Sequence, residues 1–131
     1  MTQTAKALYQ FFSSFGLPAF VEYTVPDEMP DEHGNMQKVT PPYITYQLVE
    51  PDWRDSSTLY ARVWYRSTTW VNIGETVDAI KAAVSGGLTL TTESGIVMLN
   101  PGSPFSQEQP MEGDDTLKVI YLNFTIDALT L

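Results

Sequence analysis

The chain has 131 residues, no cysteine, and a formal net charge of −9 from 16 acidic and 7 basic residues. This length predicts a single domain over residues 1–131, and the missing cysteines exclude disulfides, thiolate metal sites and a cysteine nucleophile. Because the charge repels phosphates and anionic membranes, and the basic residues are dispersed, we expect no sequence-specific nucleic-acid binding.

The first residues lack the basic start and apolar run of a signal peptide. No stretch approaches the roughly 20 apolar residues that a membrane span needs. We therefore expect no membrane association, and a protein that stays in the cytoplasm or enters a particle assembled there.

An amphipathic helix is predicted at the start of the chain. Four apolar residues recur there at helical spacing and would form one buried face: Leu8, Phe11, Phe12 and Phe15. Thr2 or Thr4 can cap the helix, and Gly16 followed by Pro18 ends it. A strand over residues 19–25 follows.

Residues 26–42 are predicted to form a loop or a loose hairpin connection. The segment is rich in proline and in acidic residues. Proline removes donors from a sheet and like charges repel, so a central strand is not expected here.

The most informative block is an aromatic strand pair at residues 41–49 and 58–67, joined by a turn at 51–56. Alternation places Leu59, Ala61 and Val63 on a core face. The opposite face of the second strand carries larger and charged side chains: Tyr60, Arg62, Trp64 and Arg66.

A second helix is predicted from about Thr69, with N-cap candidates at 67–69, to the stop at 86–87. Short strands at 88–91 and 95–99, a long loop at 100–115 and a last strand at 117–127 complete the chain. Four residues of that strand share an apolar face: Ile120, Leu122, Phe124 and Ile126.

This order predicts an α+β domain with a single mixed, mostly antiparallel β-sheet and two helices packed on one face. The other face carries large aromatic residues: Tyr43, Tyr60, Trp64, Tyr121 and, in the turn, Trp53. Either they form an interface with a partner, or the sheet coils and they complete a second small core.

The search for chemistry gives no catalytic residue, no metal ligand set and no cofactor motif. The only histidine, His33, lies among acidic residues, but zinc sites need further nitrogen or sulfur ligands and calcium loops need a different spacing. We therefore expect no enzyme, and the alternative is a small soluble enzyme or metal-binding domain that uses the acidic loop around His33.

Seven segments, at 42–46, 52–53, 62–68, 73–80, 92–95, 102–105 and 114–118, together resemble small neck proteins of tailed phages and Gram-positive prophages. These are tail terminator-like proteins, which include tail completion, head–tail joining and minor capsid proteins. The resemblance runs from about residue 40 onward and does not include the acidic insert at 27–38.

The resemblance implies a tail terminator-like fold in a virion protein assembled in the host cytoplasm. It further implies self-association, often as a hexameric ring, at the end of the tail tube, with tail tube and head connector proteins as partners. Four residues are predicted to be contact residues: Tyr60, Arg62, Trp64 and Arg66. A position on the tail side and one on the head side of the neck both remain open.

Overall fold

The structure is a computed structural model that describes residues 3–49 and 57–130. The predicted turn at 51–56, with Trp53, and the capping candidate Thr2 lie outside the described residues.

The described part of the chain contains two helices and eight strands. In order they are α1 (Gln3–Ser13), β1 (Ala19–Val21), β2 (Glu28–Pro30), β3 (Met36–Lys38), β4 (Tyr43–Val49), β5 (Ser57–Arg66), α2 (Val71–Val84), β6 (Leu88–Thr91), β7 (Gly95–Pro110) and β8 (Leu117–Thr130).

Six strands form a mixed sheet in the order β1-β4-β5-β8-β7-β6. Only β1 and β4 are parallel, and every other pair is antiparallel. The aromatic strand pair lies near the middle of this sheet, where Val63 is paired with Ile44 on one side and Ile120 on the other.

Both helices bury their apolar residues in the same core as one face of the sheet. The predicted core positions on that face are buried, including Leu59, Ala61 and Val63. Phe12 of α1 stacks on Tyr46 with ring centroids 4.8 Å apart, so the helix is anchored directly on the strand pair.

Helix α1 also reaches the far edge of the sheet. Gln3 Oε1 accepts a hydrogen bond from the Ser94 N–H in the β6–β7 turn, at 2.9 Å, while the other end of α1 contacts β1. Because β1 and β6 are the two edge strands, the sheet curls around α1 and the helix lies between its edges.

The α+β class and the mixed sheet with two helices are confirmed, but the prediction of a single sheet is wrong. Strands β2 and β3 form a second, two-stranded antiparallel sheet within the segment predicted as a loop or loose hairpin. The tight turn between them explains the hairpin: Asp31 accepts backbone N–H groups from His33 and Asn35, and Gly34 adopts a φ of +81°.

The prediction of a loop at 100–115 is also wrong, because β7 continues to Pro110. A bulge between Pro101 and Ser106 takes up the extra residues before pairing with β8 resumes. Phe105, within the bulge, packs edge-on against Phe124 at 5.4 Å. This apolar contact and the β8 ladder keep a proline-rich segment extended.

The first predicted strand is shorter than expected. It ends at Val21 because the chain turns at Tyr23, which has a φ of +66°. One further backbone bond, from Glu22 N–H to Tyr46 O, still attaches the following residue to β4.

Helix α2 begins at Val71, and its N-cap residue is Trp70, which makes no capping hydrogen bond through its side chain. The predicted cap residues instead form a turn before the helix, where the Ser67 hydroxyl accepts the Thr69 N–H. The buried stripe of this helix is as predicted: Ile73, Val77, Ile80 and Val84. Neither helix in the described ranges is long and apolar enough to cross a bilayer.

Candidate functional site

The candidate site is the outer face of the sheet, opposite the helices. Strand alternation and register place the predicted contact residues here in adjacent cross-strand rows. One row is Thr45–Arg62–Tyr121 and the next is Tyr43–Trp64–Val119.

A chain of hydrogen bonds on this face joins β5, β4 and the residue that follows β1. Trp64 Nε1 donates to Thr45 Oγ1 at 2.9 Å, and the Thr45 hydroxyl donates to Glu22 Oε2 at 2.9 Å. Arg62 forms an ion pair with the other oxygen of the same carboxylate, with 3.4 Å between Arg62 Nη1 and Glu22 Oε1. The Glu22 side chain is only 11% exposed, so this ion pair is largely shielded from solvent.

Ring contacts fill the space around the ion pair. The Arg62 guanidinium lies over the Tyr121 ring at 4.5 Å and near the Trp64 ring at 5.9 Å. Val119, beside Trp64, is 1% exposed although it lies on the outer face. The centre of the outer face is therefore packed as a small second core with a charged pair inside it.

Burial and the nearby Glu22 charge both raise the pKa of Tyr43, with burial the larger cause. The Tyr43 hydroxyl therefore stays neutral beside the carboxylate. The ring packs against Phe20 and Trp64, with centroids 5.9 and 6.0 Å away, and the neutral hydroxyl is not suited to proton transfer near neutral pH.

The rim of this face remains accessible. Tyr60 is 42% exposed, and no described hydrogen bond or ring contact engages its side chain. At the opposite end of β5, Arg66 Nη1 donates to Asp114 Oδ2 at 2.9 Å and to Thr116 Oγ1 at 2.8 Å.

The structure thus brings all four predicted contact residues onto one face but gives them different environments. Tyr60 and Arg66 are exposed at the rim, whereas Arg62 and Trp64 are half-buried in the second core. Their role as contact residues for a partner stays a prediction.

Sequence reasoning missed Glu22 and Asp114, the two carboxylates that pair with these arginines. A signal for Glu22 was present, since it is the only charged residue of the predicted strand at 19–25 and alternation puts it on the same face as Phe20. Asp114 carries no such signal, because its pairing with Arg66 joins positions 48 residues apart.

The acidic segment around His33 is arranged as a turn. Asp31 Oδ1 accepts hydrogen bonds from two backbone N–H groups, and Gln37 Nε2 donates to Asp31 Oδ2 at 3.4 Å. His33 is exposed and 3.4 Å from Glu32. Across residues 3–49 and 57–130, no group of three or more histidine, cysteine or acidic residues is placed to hold a metal ion.

The outer face is suited to recognition. Both oxygens of Glu22 already have partners, and the Thr45 hydroxyl donates to that carboxylate, so neither group is available as a base or nucleophile. The exposed rim instead offers an aromatic ring and a guanidinium, which are residue types enriched in protein interfaces.

The chain matches no family model, and no curated protein is significantly similar to it.

Proposed function

We propose that this protein is a structural component of a tailed-phage or prophage virion, of the tail terminator or head–tail joining class. It assembles as a ring, with six copies as the expected number, at the junction between the tail tube and the head connector. Its function is to complete interfaces, and no chemical step is involved.

Two observations support this proposal. The α+β domain with a mixed sheet and two helices agrees with the general fold that the sequence resemblance implies. The observation that carries the proposal is the outer sheet face, where a packed second core is flanked by the accessible side chains of Tyr60 and Arg66. An exposed aromatic ring and an exposed guanidinium are side chains enriched in protein interfaces.

The net charge of −9 fits the same role. DNA passes through the neck during packaging and ejection, and like charge disfavours adsorption to the wall of a channel. We therefore expect acidic residues to line the lumen of the ring.

Deletion of the gene from the phage or prophage tests the function directly. We expect DNA-filled heads without attached tails, or tail tubes of uncontrolled length, in electron micrographs of the lysate. Plasmid expression of the wild-type chain restores normal particles. Normal particles from the deletion strain would overturn the proposal.

The predicted contact surface is tested in the same complementation assay with Tyr60→Ala. This change removes an exposed ring that has no described intramolecular contact, so it lowers the yield of complete particles without unfolding the chain. Thr125→Ala, an exposed position on the neighbouring strand β8, is the matched control and complements fully. Equal complementation by both variants would remove Tyr60 from the interface.

A further inference from the structure

Strand β6 leaves one edge of the large sheet open. The Thr92 N–H donates to Gly95 O at 2.9 Å across the β6–β7 turn, so these two residues form a hydrogen-bonded pair. Because such pairs alternate along an antiparallel ladder, Thr89 and Thr91 direct their backbone N–H and C=O groups away from β7. No hydrogen bond in the described ranges engages these outward groups.

A groove lies between this open edge and helix α1. Its larger part encloses about 560 Å³ and its smaller part about 280 Å³, and both are lined by Ala7, Gln10 and Thr91. Phe11 and Leu90 form an apolar section in the smaller part. The groove thus combines a free strand edge with an apolar wall on the helix side.

The second sheet forms a hairpin arm, residues 27–39. All six strand residues of the arm are exposed, and neither strand makes an extensive contact with the rest of the domain. Met29 and Met36 are 39% and 57% exposed. An arm with exposed methionines on both of its faces has the properties of a segment that is buried by a partner.

The outer edge of β3 has the complementary hydrogen-bonding pattern. The bonds from Val39 N–H to Asp27 O and from Asp31 N–H to Asn35 O define the paired positions of the arm. By the same alternation, Met36 and Lys38 direct their backbone groups outward from β3. The outer edge of β2 offers fewer backbone hydrogen-bond donors, because Pro30 lies at an outward position and has no N–H.

We propose that β3 of the hairpin arm in one copy pairs antiparallel with the open edge of β6 in a neighbouring copy. This inference rests on the proposed function, since it supplies the contact between adjacent copies in the ring. Met36 and Lys38 on β3 direct their backbone groups outward, and they meet the outward backbone groups of Thr89 and Thr91 on β6, which have the same spacing. The large sheet is thereby extended from one copy into the next.

The pairing also buries the Met29 side chain of the arm. Residues on the same side of adjacent strands lie in one row, so Gln37 and its partner Met29 turn toward the side of the sheet that carries Leu90. That side faces α1, where Ala7 and Phe11 line the groove. Met29 therefore meets the apolar section of the groove.

Charge favours the same contact. The arm contains four acidic residues and one lysine, which gives a net charge of −3 with His33 neutral. Lys6 lines the groove and has no ion pair within the described residues. Glu93 lines the same end of the groove and repels the acidic arm. The electrostatic attraction is therefore modest, and the backbone hydrogen bonds supply most of the binding.

The arm and the groove are different surfaces of the chain. A contact between them is heterologous, and its repetition gives a closed ring when the rotation between copies closes.

Engineered cysteines test the pairing in the full chain, which has no native cysteine. A Met36→Cys chain is mixed with a Thr91→Cys chain at the highest soluble concentration and treated with a short bis-maleimide. This reagent reaches its target whether Met36 pairs with Thr91 or with Thr89. We expect a crosslinked dimer that contains one chain of each kind, and a ladder of higher multimers when one chain carries both changes. A Met36→Cys chain mixed with Asp78→Cys, an exposed position on α2 that does not line the groove, stays uncrosslinked.

Blocking the edge tests the mechanism. Thr89→Pro removes an outward N–H and leaves the β6–β7 ladder intact, so it abolishes crosslinking, whereas Thr89→Ala crosslinks as the parent does. Thermal unfolding of both variants checks that each is folded.

Three results would overturn the inference: no crosslink in the mixture, crosslinking within one chain only, or equal crosslinking of the Asp78→Cys control. Each leaves the gene-deletion result unaffected. Failure of the arm contact is therefore distinguishable from failure of the proposed function.

Discussion

At the scale of single residues, Glu22 organises the outer face of the sheet. Its carboxylate accepts the Thr45 hydroxyl and pairs with Arg62, while Thr45 holds the Trp64 indole. Removing one partner of a shielded ion pair leaves the other charge without compensation, which costs more than the pair contributes.

Glu22→Gln is therefore expected to lower the free energy of unfolding by about 1–3 kcal/mol. The amide keeps the size of the side chain, but its oxygen cannot serve both Thr45 and Arg62, and its NH₂ group would face a guanidinium. Urea unfolding measures the change, and Glu108→Gln, at an exposed position, serves as the control with a change within about 0.5 kcal/mol. A Glu22→Gln chain as stable as the control would mean that the pair does not hold this face together.

Asp114, at the rim of the outer face, makes the stability of the fold depend on pH. The hydrogen bonds from Arg66 and then Thr116 lower the pKa of Asp114 from 3.8 to about 2. Since the folded-state pKa lies below the unfolded value, the ionised carboxylate stabilises the fold above the unfolded pKa. That contribution is lost as the pH falls through the folded pKa.

In Asp114→Asn, the free energy of unfolding is therefore expected to fall less steeply than in the parent as the pH is lowered from 3.8 to about 2. Urea titrations at a series of pH values measure this slope, and Asp115→Asn, which removes a neighbouring exposed carboxylate, keeps the slope of the parent. An NMR titration of the Asp114 carboxyl carbon with a midpoint at or above 3.8 would contradict the assignment.

At the scale of elements, the bulge in β7 decides how the last two strands pair. It allows a segment with prolines to stay in the sheet and brings Phe105 into the core. The bulge is held by Asn123, whose Nδ2 donates to Pro104 O at 2.8 Å. Gly102 passes so close to this strand that a Cβ there would lie 3.0 Å from the backbone of Asn123.

Gly102→Ala is accordingly expected to destabilise the protein by about 1–3 kcal/mol, because backbone atoms of β8 cannot move aside as a flexible side chain would. The matched change is Gly74→Ala in α2, where a Cβ meets nothing within 4 Å. It should stabilise by about 0.5–1 kcal/mol through helix propensity. Thermal unfolding of both variants gives opposite shifts in Tm, and a shift of the same sign in both would refute the steric argument.

At the scale of the whole molecule, the sheet curls around α1 so that the helix contacts both ends of the strand order. Phe12 fixes α1 to the strand pair, and the bond between Gln3 and Ser94 fixes it to the β6–β7 turn. In the part of the chain that the structure describes, the β6 edge and the outer edge of β3 keep backbone groups available for pairing. The head-to-tail contact proposed above would join these two edges.

Much of the fold could be predicted from the sequence where the pattern is local. The helical stripe of α2, the alternation of β5 and the apolar face of β8 are each set by burial of one side of a regular element. Prediction was weakest where proline and acidic residues are dense, at 26–42 and 100–115. At 26–42 composition left a loop and a loose hairpin open, and turn hydrogen bonds decide for a hairpin. At 100–115 composition predicts a loop, whereas the contact between Phe105 and Phe124 helps to keep the chain extended.

The sequence alone determined the α+β class, the strand pair at the centre of the sheet, and which side of β5 faces the core. The tertiary structure decided what the other side of β5 does. Thr45 of β4, Tyr121 of β8 and Glu22, which directly follows β1, reach Arg62 and Trp64 from three different segments, so that cluster exists only once the sheet is assembled. Periodicity specifies the face of a strand, but the neighbours on that face are set by register between distant segments.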